Sequence, residues 1–396
     1  MKKRLFISMH YLELGGAETA LIGLLSAMDY RCYEVDLFLH SHRGDMMCFI
    51  PKEVHLLPEI KEYSMIEKPM IEVLRKGCFR VLLARLKAKW LYKRYLKRKG
   101  LTESAAIFQY IGDAVTPVLP SLEYLGEYDL AISFLNPHNI VRDKVKAKKK
   151  ICWIHTDYTR IDINVDQELP VWSSFDHVIS ISPDVTKAFL HVFPSLKKKI
   201  VEMENILSAE FVRKRAEKYD AGIEMIGDGI SVLSVGRFCE AKNYDNVPDI
   251  CRRIREKGIN IRWFLIGYGD DSLICQRIHE TGMEKNVIIL GKRSNPYPYI
   301  KACDIYAQPS RYEGRSVAVR EAQILCKPVV VTDYPTAKSQ INNNIDGVIF
   351  PMDNETFAKS MADFIQNHQM QRQVVDHLQT HDYGNMNEIE KLYNLI

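Results

Sequence analysis

Glu313 and Glu321, eight residues apart in YEGRSVAVREAQIL, bracket the stretch of this 396-residue chain with the most chemistry in it. Residues 310–314 read as a polar turn at a strand end, and the run from Ser316 has the periodicity of a helix. The first amides of such a helix, near Ser316 and Val317, have no intrahelical acceptors and sit at the positive end of the helix dipole. A diphosphate is a suitable ligand for them. Helical Cα–Cβ bonds lean toward the N-terminus, so Glu321, about one to two turns in, can direct its carboxylate back toward a ligand hydroxyl such as that of a ribose. The plain alternative is two acids decorating a helix start, where the dipole favours them.

Arg237 and Lys242, in GRFCEAKN, place two cations after another apolar run, either to neutralise a phosphate or simply as surface charges in a loop. There is no Asp-x-Asp pair of the kind that holds a divalent ion, so no metal site is expected. Gly15 and Gly16, with Glu18 just after them, let backbone approach a phosphate or an acceptor closely, although a tight turn explains a bare Gly-Gly equally well.

These residues need a scaffold that brings strand ends together. The chain exceeds what one core usually serves, and its apolar runs alternate with helical stretches throughout, the pattern of parallel α/β sheets. Residues 3–8, 34–39, 129–134, 150–155 and 177–182 are expected as strands of a first domain. ISVLSVG, IRWFLIG, VIILG, DIYAQ and KPVVVTD are expected as strands of a second, doubly wound sheet buried on both faces. The expected division is 1–207, 208–380, and a C-terminal helix over 381–396 that returns to the first domain. Hydrophobic residues at 46% and charged residues at 26% suit a soluble globular protein. The start, MKKRLFISMH, is too short in its apolar run for a signal peptide, and the nine scattered cysteines suit reduced thiols, so a cytoplasmic location is expected.

The ordered series SVGRFCEAKNYDNV, FLIGYGDD, VIILGKR and ACDIYAQPSRYEGRSVAVREAQILCKPVVVTD resembles the nucleotide-sugar half of glycosyltransferase family 4, retaining enzymes of bacterial surface-polysaccharide or glycolipid assembly. In the first half, GGAE and WIHTD extend the likeness. The resemblance implies a GT-B fold, two Rossmann-like domains facing across a cleft, and transfer of a hexose-type sugar from a nucleoside diphosphate, UDP being expected, to an acceptor hydroxyl with retention. No cofactor is implied. By resemblance, Glu313 contacts the donor sugar, Glu321 holds the ribose, Arg237 and Lys242 stabilise charge developing on the leaving phosphate, His155 contacts the donor sugar, and Arg293 presents backbone groups to the base. Family members often carry Phe-Gly-Leu-Pro after the Glu-Gly pair, where this chain has Arg315, Ser316, Val317 and Ala318, so the shape beside the sugar differs.

One stretch stands outside that series. From Arg75 to Lys99 there are eleven Lys or Arg and no acid, interleaved with Leu82, Leu83, Leu86, Trp90, Leu91, Tyr95 and Leu96. The spacing is helical, and an amphipathic helix with a basic side suits an anionic membrane surface, so the segment Val73 to Leu101 is expected to dock there with Arg75, Arg85, Lys87, Lys89, Trp90, Lys93 and Arg94 facing it. The expected placement is therefore peripheral, on the inner face of the cell membrane, with a saccharide or lipid-linked acceptor. A core-packed helix with a solvated basic face is the alternative. A sugar-nucleotide epimerase or a phosphorylase on the same scaffold is a rival of the same class; a non-catalytic membrane- or nucleic-acid-binding protein is a rival of another. Nucleic acid is not an expected partner.

Overall fold

Each long apolar run becomes a parallel strand, because a strand covered on both faces must be apolar on both. In the computed structural model, which describes residues 2–13, 15–159, 161–313 and 316–396, the chain divides into two units, Met1–Ile206 with Met386–Ile396, and Leu207–Asn385. The first holds β1 (Lys3–Met9), β2 (Tyr33–Leu39), β3 (His55–Leu56), β4 (Tyr128–Ser133), β5 (Ala147–Ile154), β6 (His177–Ser180) and β7 (Ile200–Glu202), in the order β3-β2-β1-β4-β5-β6-β7. The order reverses beside β1, between β2 and β4. The helix Gly16–Ala27 follows β1, and Pro183–Val192 starts at Ser182, whose hydroxyl accepts from the Val185 amide at 3.2 Å.

The second unit holds β8 (Ile230–Val235), β9 (Ile261–Ile266), β10 (Val287–Gly291), β11 (Ile305–Gln308), β12 (Val329–Thr332) and β13 (Val348–Phe350), ordered β10-β9-β8-β11-β12-β13. Alternation within its strands feeds two cores. Leu233, Phe264, Tyr306, Val329 and Val331 pack on one face; Val232, Trp263, Leu265, Ala307 and Val330 pack on the other.

The last residues pack with the first unit. The Tyr393 ring stacks on Tyr33 with centroids 4.5 Å apart, and its hydroxyl accepts from the Asp29 amide at 2.7 Å. Glu388 accepts from the Glu204 amide at 2.9 Å. The crossing into this unit begins at Met386, a few residues after the expected start of the C-terminal helix.

Candidate active site

All strands of the second sheet run parallel, so the loops after them share one edge. After β8 the chain turns back through Glu240–Lys242, with Asn243 in the left-handed region at φ 59°. A Cβ at Gly236 would lie 2.9 Å from the Tyr244 hydroxyl and 3.0 Å from Lys242 Cε, so the glycine lets the lysine stem fold over the strand end. Arg311 ties this loop to the one after β11. Its guanidinium spans both Asp245 oxygens at 3.0 and 2.7 Å and donates to the Glu240 carbonyl at 2.6 Å.

Across that seam Lys242 Nζ lies 2.6 Å from Glu313 Oε1, which also accepts from Ser310 Oγ at 2.6 Å and Gln308 Nε2 at 3.0 Å. Gln308 is oriented in turn by the Tyr306 hydroxyl, which donates to its Oε1 at 2.7 Å. Among the described residues, these donors converge on one carboxylate oxygen and leave Oε2 as the acceptor a ligand hydroxyl could use. Gly314 of the Glu-Gly pair and Arg315, the first residue of the departure from the family pattern, lie outside the described residues.

The helix Val317–Ile324 starts after Ser316, and here the structure corrects the expectation for that residue. The Ser316 amide donates to Gln340 Oε1 at 3.0 Å, and Gln340 Nε2 donates back to the Ser316 carbonyl at 2.6 Å. Ser316 is held by both bonds as if by a facing strand, so its amide is occupied, and among the described residues exposed Val317 is the first helical residue whose amide could meet an anion. Thr336 Oγ1 adds a bond to the Glu313 carbonyl at 2.8 Å. The segment 336–340 therefore clamps the backbone on both sides of the undescribed pair.

Glu321 is buried, its Oε1 accepting from the Tyr297 hydroxyl at 2.7 Å. Burial pushes its carboxyl above the usual range, against the pull of the Tyr297 hydrogen bond and of Arg215, whose guanidinium lies 5.1 Å above the Tyr297 ring. Arg237 is exposed at the start of the β8 loop. Arg293 follows β10, and its side chain is engaged, donating to the Tyr299 hydroxyl and to Glu224, both at 2.8 Å. Only its backbone remains for the role expected of it.

The other expected residues belong to the first unit. His155 follows β5 with its ring 4.7 Å from Phe134, and burial holds its pKa down to about 4, with a hydrogen bond to the Phe134 backbone pulling the other way. Its Nε2 is closed off from solvent and, among the described residues, has no hydrogen-bond partner. An orphaned nitrogen of this kind is costly unless something else satisfies it. Gly15 is the N-cap of Gly16–Ala27 in extended backbone, with the Glu18 carboxylate folded over it. A Cβ at Gly16 would meet nothing within 4 Å, so the fold itself does not demand glycine there.

The basic stretch forms two helices, Met70–Arg75 and Phe79–Lys99. Val81, Ala84, Ala88 and Tyr95 turn inward, and Leu82, Leu91 and Leu96 pack half-buried against the same cores. Arg85 is a second correction. Its Nη1 donates to the Met65 and Lys68 carbonyls, which folds it onto the protein and away from the exposed face. Arg75, Lys87, Lys89, Lys93 and Arg94 are exposed, and the Arg94 guanidinium lies 4.7 Å over the Trp90 ring. Phe79, Leu83 (66% exposed), Leu86 and Trp90 (56%) form a stripe, and Ile71 (67%) and Leu74 on the shorter helix expose two apolar side chains more. Among the described residues, no helix is long and apolar enough to cross a membrane.

Comparison with known proteins adds to this geometry. Residues 217–379 match the family described as glycosyl transferases group 1, inside the second unit. The putative glycosyltransferase EpsF of Bacillus subtilis is 28% identical over 127 residues, covering 31% of this chain and 32% of that protein. The N-acetylgalactosamine-N,N'-diacetylbacillosaminyl-diphospho-undecaprenol 4-alpha-N-acetylgalactosaminyltransferase of Campylobacter jejuni is 30% identical over 127 residues, 31% of this chain and 34% of that one. The matched stretch thus spans about a third of the length of these curated relatives. Anabaena HepE, solved in complex with UDP and glucose, superimposes with a TM-score of 0.66 at 15% identity, covering 100% of this chain and 99% of its own. That likeness establishes the fold, a two-domain α/β architecture of the GT-B kind.

Proposed function

With residues 217–379 a domain of the glycosyl transferases group 1 family, we propose that the chain is a retaining glycosyltransferase. It moves a hexose-type sugar from a nucleoside diphosphate, UDP by preference, to a hydroxyl of a saccharide or lipid-linked acceptor. The observation that carries this reading is the convergence of Lys242, Gln308 and Ser310 on Glu313 Oε1 beside an open helix start. The helix amides from Val317 onward hold the diphosphate, with Arg237 and Lys242 meeting the charge that grows on the leaving phosphate as its bond to the sugar breaks. Glu321, steadied by Tyr297, holds the ribose, and the backbone at Arg293 meets the base. Glu313 Oε2 positions the donor sugar. Its other oxygen is already saturated by donors, which dulls the carboxylate as a nucleophile and favours attack of the acceptor on the same face, the acceptor proton passing to the departing phosphate. His155, kept neutral by burial at the end of β5, is assigned to the donor sugar by the resemblance of WIHTD to the family. The UDP and glucose of the HepE complex and the lipid diphosphate in the Campylobacter enzyme's name support the donor and acceptor classes.

The exposed stripe Phe79, Leu83, Leu86 and Trp90, with Ile71 and Leu74, docks the protein on an anionic membrane, where the enzyme meets a lipid-linked acceptor. Arg75, Lys87, Lys89, Lys93 and Arg94 supply the charge.

Incubation with a panel of nucleotide sugars and candidate acceptors, with and without EDTA, tests the reading. The expected result is a product whose anomeric configuration, read by NMR, matches the donor's, formed equally in EDTA. Donor isomerisation without acceptor would instead indicate an epimerase. An absolute need for added divalent ion would overturn the assignment of phosphate neutralisation to Arg237 and Lys242.

A further inference from the structure

The hydroxyl of Tyr244 is buried and, among the described residues, has no hydrogen-bond partner. Its ring is 1% exposed, stands edge-on to Phe238 with centroids 6.0 Å apart, and belongs to the core on one face of the second sheet. A phenylalanine would fill that core equally well. The hydroxyl is therefore a cost to the fold, because a buried polar group without a partner keeps its full desolvation penalty.

Neighbours on both sides fix where this hydroxyl stands. Asn243 before it is in the left-handed region, and Asp245 after it is spanned by the Arg311 guanidinium. The place a Cβ at Gly236 would take lies 2.9 Å from the hydroxyl and 3.0 and 3.2 Å from Lys242 Cε and Cδ, so the lysine stem and the hydroxyl meet over the end of β8. Lys242 Nζ reaches on from there to Glu313 Oε1. Gln308 is beside the hydroxyl too, but its Nε2 already donates to Ser310 Oγ at 2.9 Å and to Glu313 Oε1 at 3.0 Å, which uses both amide protons. Burial, and after it the charge of Glu313, push the Tyr244 pKa up, with Gln308 pulling the other way. The oxygen keeps its proton. It is an unused donor near a carboxylate whose cation is held on a flexible four-carbon stem.

We propose that Tyr244 is a positioning residue for Glu313: when the donor's diphosphate draws Lys242 away, the Tyr244 hydroxyl donates to the Oε1 that the lysine vacates. The carboxylate then keeps its orientation, with Oε2 toward the donor sugar, while Lys242 serves the leaving phosphate. Tyr244 acts through Glu313 and does not touch the nucleotide. This rests on the reading of the chain as a glycosyltransferase.

Calorimetric titration of the full chain with UDP, or with GDP, ADP, CDP or dTDP if the wild type prefers one of them, tests the exchange in wild type, Tyr244→Phe, Glu313→Ala and the double variant. Tyr244→Phe is expected to weaken nucleotide binding about tenfold or more, the size of one hydrogen bond to a charged group, while its urea midpoint equals the wild type's or rises. In the Glu313→Ala background no carboxylate is left to satisfy, so the same change is expected to leave binding as it was. A merely structural hydroxyl would lower the urea midpoint and would not depend on Glu313. Binding unchanged in Tyr244→Phe overturns the inference, and so does equal weakening in both backgrounds, which would mean that the hydroxyl meets the nucleotide itself. Tyr334, in the core on the opposite face, has another buried hydroxyl without a partner among the described residues. A Glu313-dependent loss in Tyr334→Phe in place of Tyr244→Phe would equally overturn the assignment. A wild type that binds none of the five nucleotides sinks the glycosyltransferase reading itself.

Discussion

Lys242 Nζ and Glu313 Oε1 stand 2.6 Å apart although 71 residues separate them in the chain. The pair is the point where the loop after β8 and the loop after β11 meet. It means that neither group is an independent charge: a diphosphate drawing on Lys242 loosens its hold on Glu313, and a sugar on Glu313 changes what Lys242 sees. Lys242→Ala and Glu313→Ala are each expected to lower kcat by about 100- to 1000-fold, the size of one lost electrostatic contact to developing charge. The double variant should fall well short of the product of the two losses, since each change already breaks the shared contact. Steady-state kinetics of the three variants checks this, and full multiplicativity would show that the two residues act separately.

Gln340 holds Ser316 by both its amide and its carbonyl. Gln340→Leu removes both bonds from a buried backbone unit, at a cost of about 1–3 kcal/mol, and leaves the helix start free to shift. The expected outcome is a donor KM raised by roughly tenfold, with a smaller change in acceptor KM. Gln340→Glu keeps the acceptor for the Ser316 amide and should lie between Gln340→Leu and wild type. Equal donor KM values in all three proteins would show that the clamp has no bearing on donor binding.

Gly16 separates stability from function. With open space where a Cβ would stand and a helical position to occupy, Gly16→Ala should stabilise the fold by about 0.5–1 kcal/mol, read from the urea midpoint. If a ligand's phosphate or sugar comes up against this backbone, the same change lowers turnover. A variant both more stable and fully active would assign Gly16 to turn geometry alone.

The exposed stripe predicts co-sedimentation with anionic vesicles and little with neutral ones. Lys87→Glu, Lys89→Glu, Lys93→Glu and Arg94→Glu together should abolish it, at about 1 kcal/mol for each charge engaged. Leu83→Ser with Trp90→Ser should weaken it while leaving its salt dependence. Arg85→Glu belongs to a different class, because Arg85 satisfies the Met65 and Lys68 carbonyls, and it should lower thermal stability. Equal binding to neutral and anionic vesicles would count against the charged face.

The strands that form the centre of each sheet were legible because burial on both faces writes an unbroken apolar run. The short edge strands β3 and β7 and the terminal β13 have two or three residues each, too few for a pattern. Glu313, Lys242 and Glu321 could be singled out by charge and spacing. The groups that orient them, Gln308, Ser310, Tyr297, Thr336 and Gln340, are neutral and come from other elements, so only the folded chain shows them together. The polar Gln308 closing an otherwise apolar IYAQ was the one local signal for them. Arg85 shows the converse limit: positive charge in a basic run does not reveal that a guanidinium folds back onto carbonyl oxygens. Ile71 lies before the expected docking segment 73–101, on the shorter of its two helices, and so escaped a reading centred on the basic run.

The edge of the second sheet around Lys242 and Glu313 is expected to bind and turn over a nucleotide sugar. The most direct test is slow hydrolysis of UDP-hexoses by the purified protein without acceptor, followed by mass spectrometry in wild type, Lys242→Ala and Glu313→Ala. Release of UDP from at least one donor is expected in the wild type, with a loss of about 100-fold or more in both variants. Absence of binding and hydrolysis for every nucleotide sugar tried, or undiminished release by both folded variants, would contradict it.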